Sequence, residues 1–367
     1  MAGIYVHFPF CRAKCAYCDF YSIADGRLMA AYPEAVAAEF NARKGELGSG
    51  GISTLYFGGG TPSSLPLSAL EATARLLYVP SVEEFTIEVN PEDVNPDAVG
   101  LWAAMGVNRV SMGVQSLVDS ELKSVGRRHS ADDAIHAIEI LKSGGMENIS
   151  ADLIYGLPGQ TCESFAFSLN RLFDTGIQHL SAYLLSYEPG TLLWRRLQRG
   201  LVEEASEEMA YSMYRMLCHV ARERGFNHYE ISNFALPEME SRHNSAYWTL
   251  EPYLGLGPGA HSLGADGIRR YNEPSLKEYM LNPVASIAEE ETEEERLDDF
   301  LLISLRTQSG LNLSRRRKIF RRERLCGKVI HCVFPKAIGL EAMQSSGSCC
   351  SGNQRGSKSC SEKEHQY

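Results

Sequence analysis

Residues 7–22 read HFPFCRAKCAYCDFYS, and the three cysteines they contain, Cys11, Cys15 and Cys18, decide how the rest of the chain is read. The C-x3-C-x2-C spacing puts three thiols on one short loop. Thiolates are soft ligands, and at this spacing they suit an iron–sulfur cluster or zinc. Three ligands for a four-iron cluster leave one iron without a protein partner, an open position where a small molecule can bind. His7 precedes Cys11 by four residues and keeps a second reading open, a Cys3His zinc site that would make the chain a zinc-stabilised, non-catalytic binding protein.

Composition narrows the setting. At 367 residues the chain has room for one barrel-sized domain and a smaller one. A net charge of −10 argues against a nucleic-acid binder. There is no apolar run of about 18 residues, and the N-terminus has neither a signal core nor an Arg/Ser-rich leader. A reducing cytoplasm is the expected location, where thiolates stay free for metal and the cysteines form no disulfide scaffold.

Short β-branched and aromatic runs at 4–7, 54–57, 85–89, 109–113, 149–154 and 179–184 alternate with helical stretches, the last at 207–224. That alternation predicts an α/β fold with a parallel sheet and crossover helices. Six such units imply an open, partial (β/α)6 barrel. The cysteines follow the first strand and Gly58, Gly59 and Gly60 the second. Glu88 and Asn90 close the third, Gln115 follows the fourth, and Asp152 lies near the end of the fifth. Active sites of barrel enzymes form at these C-terminal strand ends.

Glycines after a strand let a ligand approach the backbone, although a tight turn has the same signature. Glu88, Gln115, Arg127 and Asp152 are each commonest as structural hydrogen-bonders, but together they offer acceptors and a cation at one mouth. Residues 156–160, GLPGQ, read as loop geometry. HNSAYW brings His243, Tyr247 and Trp248 within six residues, an imidazole with aromatics able to pack a planar macrocycle. GLGPGAHS, around Gly257, reads as a loop, and Cys162 and Cys218 as core residues. The sequence divides into 1–225, the barrel; 226–313, a smaller α+β region; and 314–367, where a basic run at 315–324 leads into a Ser/Gly/Cys-rich end that reads as disordered.

Taken together, GIYVHFPFCRAKCAYCDFYS, YFGGGTPS, EVNPE, SMGVQS, GRRHS, DLIYGLPGQT, YEISNFA, HNSAYW and GLGPGAHS resemble the HemW family, relatives of the oxygen-independent coproporphyrinogen III oxidase within the radical S-adenosylmethionine (SAM) superfamily. The resemblance implies a radical-SAM barrel with a [4Fe-4S] cluster on Cys11, Cys15 and Cys18 and SAM chelated to the remaining iron. Residue by residue it implies SAM contacts from Tyr5, Tyr17, Gly59, Gly60, Thr61, Glu88, Gln115, Arg127 and Asp152. It implies heme contacts from His243, Tyr247 and Trp248.

Two activities follow from that resemblance. HemW proteins are heme chaperones that pass heme to acceptor proteins, some at membranes; the oxidase converts two propionates of coproporphyrinogen III to vinyls. Either would need a reductant such as flavodoxin or ferredoxin. The oxidase has a further cysteine two positions after its third cluster ligand. Here that position is Phe20, which favours the chaperone, as does HNSAYW. The resemblance ends near 313, and the change in composition suggests a shifted reading frame or altered terminal exon near Arg315.

Overall fold

The computed structural model describes residues 1–311, so the segment 314–367, with its basic run and Ser/Cys-rich end, lies outside the described residues. Residues Met1–Glu290 form one compact unit and a second begins at Glu291.

In the larger unit six parallel strands pair in chain order: β1 (Ala2–Phe8), β2 (Ile52–Gly59), β3 (Glu84–Val89), β4 (Arg109–Gln115), β5 (Ile149–Tyr155) and β6 (His179–Leu184). No strand end departs from the sequence expectation by more than two residues. Parallel neighbours need long crossovers, and helices Tyr32–Arg43, Leu67–Leu76, Pro96–Ala104, Ala131–Ser143 and Cys162–Asp174 supply them. The expected partial (β/α)6 barrel is present.

The strands alternate with a period of two. Ile4, Val6 and Phe8 of β1, Phe85 and Ile87 of β3, and Val110 and Met112 of β4 join the main core with Val36, Leu70, Trp102 and Ile138 from the helices. The residues between them form an opposite, polar face: Tyr5, Thr54, Tyr56, Glu88, Arg109, Ser111 and Asp152. Apolar burial against the helices, at about 25 cal/mol per Å², therefore fixes the register that turns these polar groups inward. A one-residue slip in any strand would exchange the two faces.

Later strands join the same sheet at both edges. β7 (Asn227–Glu230) and β8 (Asn233–Ala235) extend it antiparallel beyond β6. β9 (Tyr253–Leu256) pairs parallel to β1, and β10 (His261–Leu263), β11 (Arg269–Tyr271) and β12 (Ile287–Ala288) follow antiparallel. The boundary expected at 225 thus separates motifs within one continuous sheet. In the second unit, Glu293, Glu294 and Glu295 form the first turn of the helix Glu293–Leu305, which starts with a capping box between Thr292 and Glu295. Among the described residues no helix is long and apolar enough to cross a membrane.

Candidate functional site

The cysteine loop leaves β1 without regular structure and is pinned at its middle. Ala16 N donates to Val125 O at 2.9 Å, and Leu193 N donates to Ala16 O at 2.7 Å. Beneath it Ala16, Val125, Ile154, Leu157, Leu185 and Leu193 make a small apolar cluster separate from the main core. The helix Leu192–Gln198, which the sequence reading did not anticipate, supplies part of that support.

All three thiols are half-buried. Cys11 Sγ is 3.4 Å from Thr61 Oγ1, and Arg127 Nη1 donates to Cys15 Sγ at 3.5 Å. Burial, then the neighbouring Cys15 thiolate, pushes the Cys18 thiol up to about 12. A buried thiol that resists ionising, as Cys18 does, is relieved by a cationic centre, which fits an iron–sulfur cluster. The zinc reading is corrected. His7 is buried with both ring nitrogens engaged, Nδ1 with Tyr5 Oη at 3.2 Å and Nε2 with Tyr21 O at 2.8 Å. Burial lowers its pKa to about 4. Among the described residues no three His, Cys, Asp or Glu side chains converge as ligands of one ion.

Next to the loop lies the polar face of the barrel. Glu88 accepts from Tyr56 Oη at 2.9 Å and from Gly59 N at 3.1 Å. Burial still raises its pKa to about 7. Asp152 accepts from Ser111 Oγ at 3.3 Å, and burial raises its pKa to about 6. Arg127 Nη2 donates to Asn90 Oδ1 at 2.7 Å and to Gly113 O at 2.6 Å. Its buried Nε has no partner among the described residues, an unused donor beside Cys15 that suits a carboxylate. Gln115 stands at a bulge where the register between β4 and β5 shifts, with φ of +66°. This left-handed conformation of a non-glycine residue is the kind of strain that collects at ligand sites. Tyr17 is held against Cys15, its pKa raised by burial and then further by the neighbouring thiolates.

The glycine run has internal reasons for every position. A Cβ at Gly58 would fall 2.9 Å from Glu88 Oε1, and one at Gly60 2.6 Å from Phe8 O; Gly59 adopts φ of +101°. Gly60 N and Thr61 N donate to Phe8 O and Phe10 O, each at 2.8 Å. Those amides and that of Gly59 are therefore committed, and carbonyls are what this loop has to offer an ammonium.

GLPGQ is loop geometry, as read. Gln160 Oε1 accepts from Gly156 N and Leu157 N at 2.7 and 3.2 Å, and its Nε2 donates to the buried Glu121 at 3.0 Å. GLGPGAHS is also structural: Gly257 N donates to the buried Glu39 at 2.9 Å, which also accepts from Asn272 and Tyr279.

HNSAYW differs from expectation. Its helix, Arg242–Trp248, sits at the opposite end of the barrel, against Gly3, Thr54 and Glu84 at the starts of β1 to β3. His243 is 1% exposed, and its Nδ1 and Nε2 bond Thr54 Oγ1 and Tyr247 Oη at 2.8 Å each. Burial lowers its pKa to about 3. As folded, His243 presents no nitrogen to a heme iron, and its own expected heme contact is corrected on that ground; Tyr247 and Trp248 on the same helix are part-buried.

Sequence reasoning missed Tyr56, Ser111, Gly113 and Arg109. A Cβ at Gly113 would lie 2.8 Å from Gln115 Nε2 and 3.2 Å from Arg127 Nη2, so glycine makes room for both. Their signal was the period-two polar alternation inside otherwise apolar strands.

Similarity to known proteins extends over most of the chain. The model of the radical SAM superfamily matches residues 5–172. The heme chaperone HemW of Lactococcus lactis is 37% identical over 84% of this chain and 82% of its own length. The mitochondrial radical S-adenosyl methionine domain-containing protein 1 of Bos taurus is 36% identical over 84% of this chain and 74% of its own. In structure the chain resembles coproporphyrinogen III oxidase (HemN) from Escherichia coli, with a TM-score of 0.73 at 23% identity, covering 86% of this chain and 78% of that one.

Proposed function

The chain belongs to the HemW family of the radical SAM superfamily, and from that premise we propose that it is a heme chaperone that holds a [4Fe-4S] cluster, SAM and a heme cargo. The observation that supports this most is the pinned cysteine loop facing Arg127, Glu88 and Asp152 across one barrel mouth. Cys11, Cys15 and Cys18 would hold the cluster. When bound, such a cluster supplies a site for SAM and, on reduction, the electron that cleaves its sulfonium.

The chain's own groups bind and orient. Arg127, with its unused Nε, takes the SAM carboxylate. Glu88, Gln115 and Asp152 accept from the ammonium and the ribose hydroxyls, and the carbonyls of Gly59 and Gly60 add acceptors. Tyr5, Tyr17 and Thr61 border the same space. Heme is then passed to acceptor proteins, membrane-associated ones among them, with flavodoxin or ferredoxin as reductant, in a reducing compartment such as the cytoplasm.

The test is an anaerobic assay on protein reconstituted with iron and sulfide. Hemin binding, followed by transfer to an apo-hemoprotein, is the expected result. Repeated conversion of coproporphyrinogen III to protoporphyrinogen, given SAM and a low-potential reductant, would make the protein a decarboxylating dehydrogenase instead.

A further inference from the structure

The HNSAYW helix closes the barrel from below. Glu84, the first residue of β3, accepts from the helix's first two amides, Arg242 N at 2.8 Å and His243 N at 2.9 Å. The His243 ring fills the slot left by the missing side chain of Gly3, where a Cβ would be 3.1 Å away. From there it stacks on Tyr56, with centroids 5.0 Å apart and planes inclined by 29°, and lies 6.4 Å from the Tyr5 ring at the same inclination. The Tyr56 hydroxyl points on to Glu88, whose second oxygen receives Gly59 N. Four residues on three elements, His243, Tyr56, Glu88 and Gly59, are thus connected in series from the floor of the barrel to its mouth.

We infer that His243 is a positioning residue for the SAM site, its ring holding Tyr56 so that the Tyr56 hydroxyl fixes Glu88. This rests on the reading of Glu88 as a SAM contact. A neutral ring is required, because the buried Arg109 cation faces the same interior from β4. Hydrogen bonds at both ring nitrogens, one to β2 and one within the helix itself, help to hold a plane that the packing of the flat ring already sets. Each partner is a hydroxyl, which donates or accepts as the tautomer demands.

The test uses full-length, cluster-reconstituted protein and measures SAM affinity by equilibrium dialysis and hemin affinity by Soret titration. His243→Ala should weaken SAM binding about tenfold, the loss expected when one hydrogen bond to a charged group is misplaced, and leave hemin affinity within about twofold. In the Tyr56→Phe background the same substitution should cost only about twofold more, because the two act as one unit. His243→Phe, which keeps a flat ring, should recover most of the affinity and serves as the folded comparison if the alanine variant is unstable. Additive losses in the double variant would overturn the inference, as would lost hemin binding with intact SAM affinity. Unchanged SAM affinity in Glu88→Gln would sink the SAM assignment and the inference with it.

Discussion

At the C-terminal ends of the strands, polar groups are left wanting: the thiol of Cys18 resists ionising, Arg127 keeps an unused Nε, and burial holds Glu88 partly protonated at neutral pH. At the N-terminal ends similar groups are satisfied by one another. His243 has Thr54 and Tyr247, His179 has Ser150 and Tyr229 at 2.7 and 2.8 Å, and Glu84 caps a helix. Unmet hydrogen-bonding capacity beside the thiols sets the mouth apart from the more nearly saturated floor. Arg109 is one exception at the floor, its Nε and Nη1 without a partner among the described residues, and the neighbouring Thr86 Oγ1 is another. The Arg109 charge instead lowers the pKa values of Glu88 and Asp152 above it.

The contrast breaks most decisively at the cysteines. Cys15→Ala should abolish the reconstituted cluster, read as loss of iron, of sulfide and of the visible absorption, whereas Cys218→Ala on the far helix Glu207–Glu223 keeps all three. Next in size is Arg127→Met, which removes the unused donor at the mouth. SAM affinity should fall roughly 10- to 100-fold, as for a charge-assisted bond, with iron content unchanged.

The pH dependence of SAM binding sharpens the same comparison. Glu88 and Asp152 titrate near 7 and 6 in the free protein and bind best ionised. Affinity should therefore fall with decreasing pH, by up to about tenfold per unit between 7 and 6 and more steeply below 6, where both carboxylates take up protons. A flat profile from pH 8 to pH 5.5 would remove both carboxylates from the binding role. The smallest effect belongs to the floor. Gly3→Ala sets a Cβ 2.7 Å from Thr54 Oγ1 and should lower stability by about 1–3 kcal/mol. Denaturant unfolding would show it, with cluster content normal in the folded fraction.

The mouth was largely legible in the sequence because its residues sit on local signals: cysteines at fixed spacing, glycines after a strand, carboxylates closing strands. The strands were legible for the same reason, each a short apolar run between turns. The floor was not. His243, Tyr247 and Trp248 form a compact motif that looks like a ligand site, and only contacts to residues some 190 positions earlier, such as Thr54, reveal a plug. Leu192–Gln198 escaped notice because seven residues with two arginines carry little periodic signal. Gly113 was hidden likewise, its role depending on Arg127 from a distant loop.

One consequence concerns the order in which the protein is made. β1 leads into the cysteine loop and lies between β2 and β9, both parallel to it, so its pairing on one side waits for residues 253–256. At the usual pace of synthesis, roughly 5–20 residues per second, the triplet leaves the ribosome on the order of ten seconds or more before that neighbour exists. Through this interval the edge of β1 that β9 later covers stays unpaired, and the cysteine loop follows a strand held on one side alone. The late arrival of β9 then closes that edge of β1.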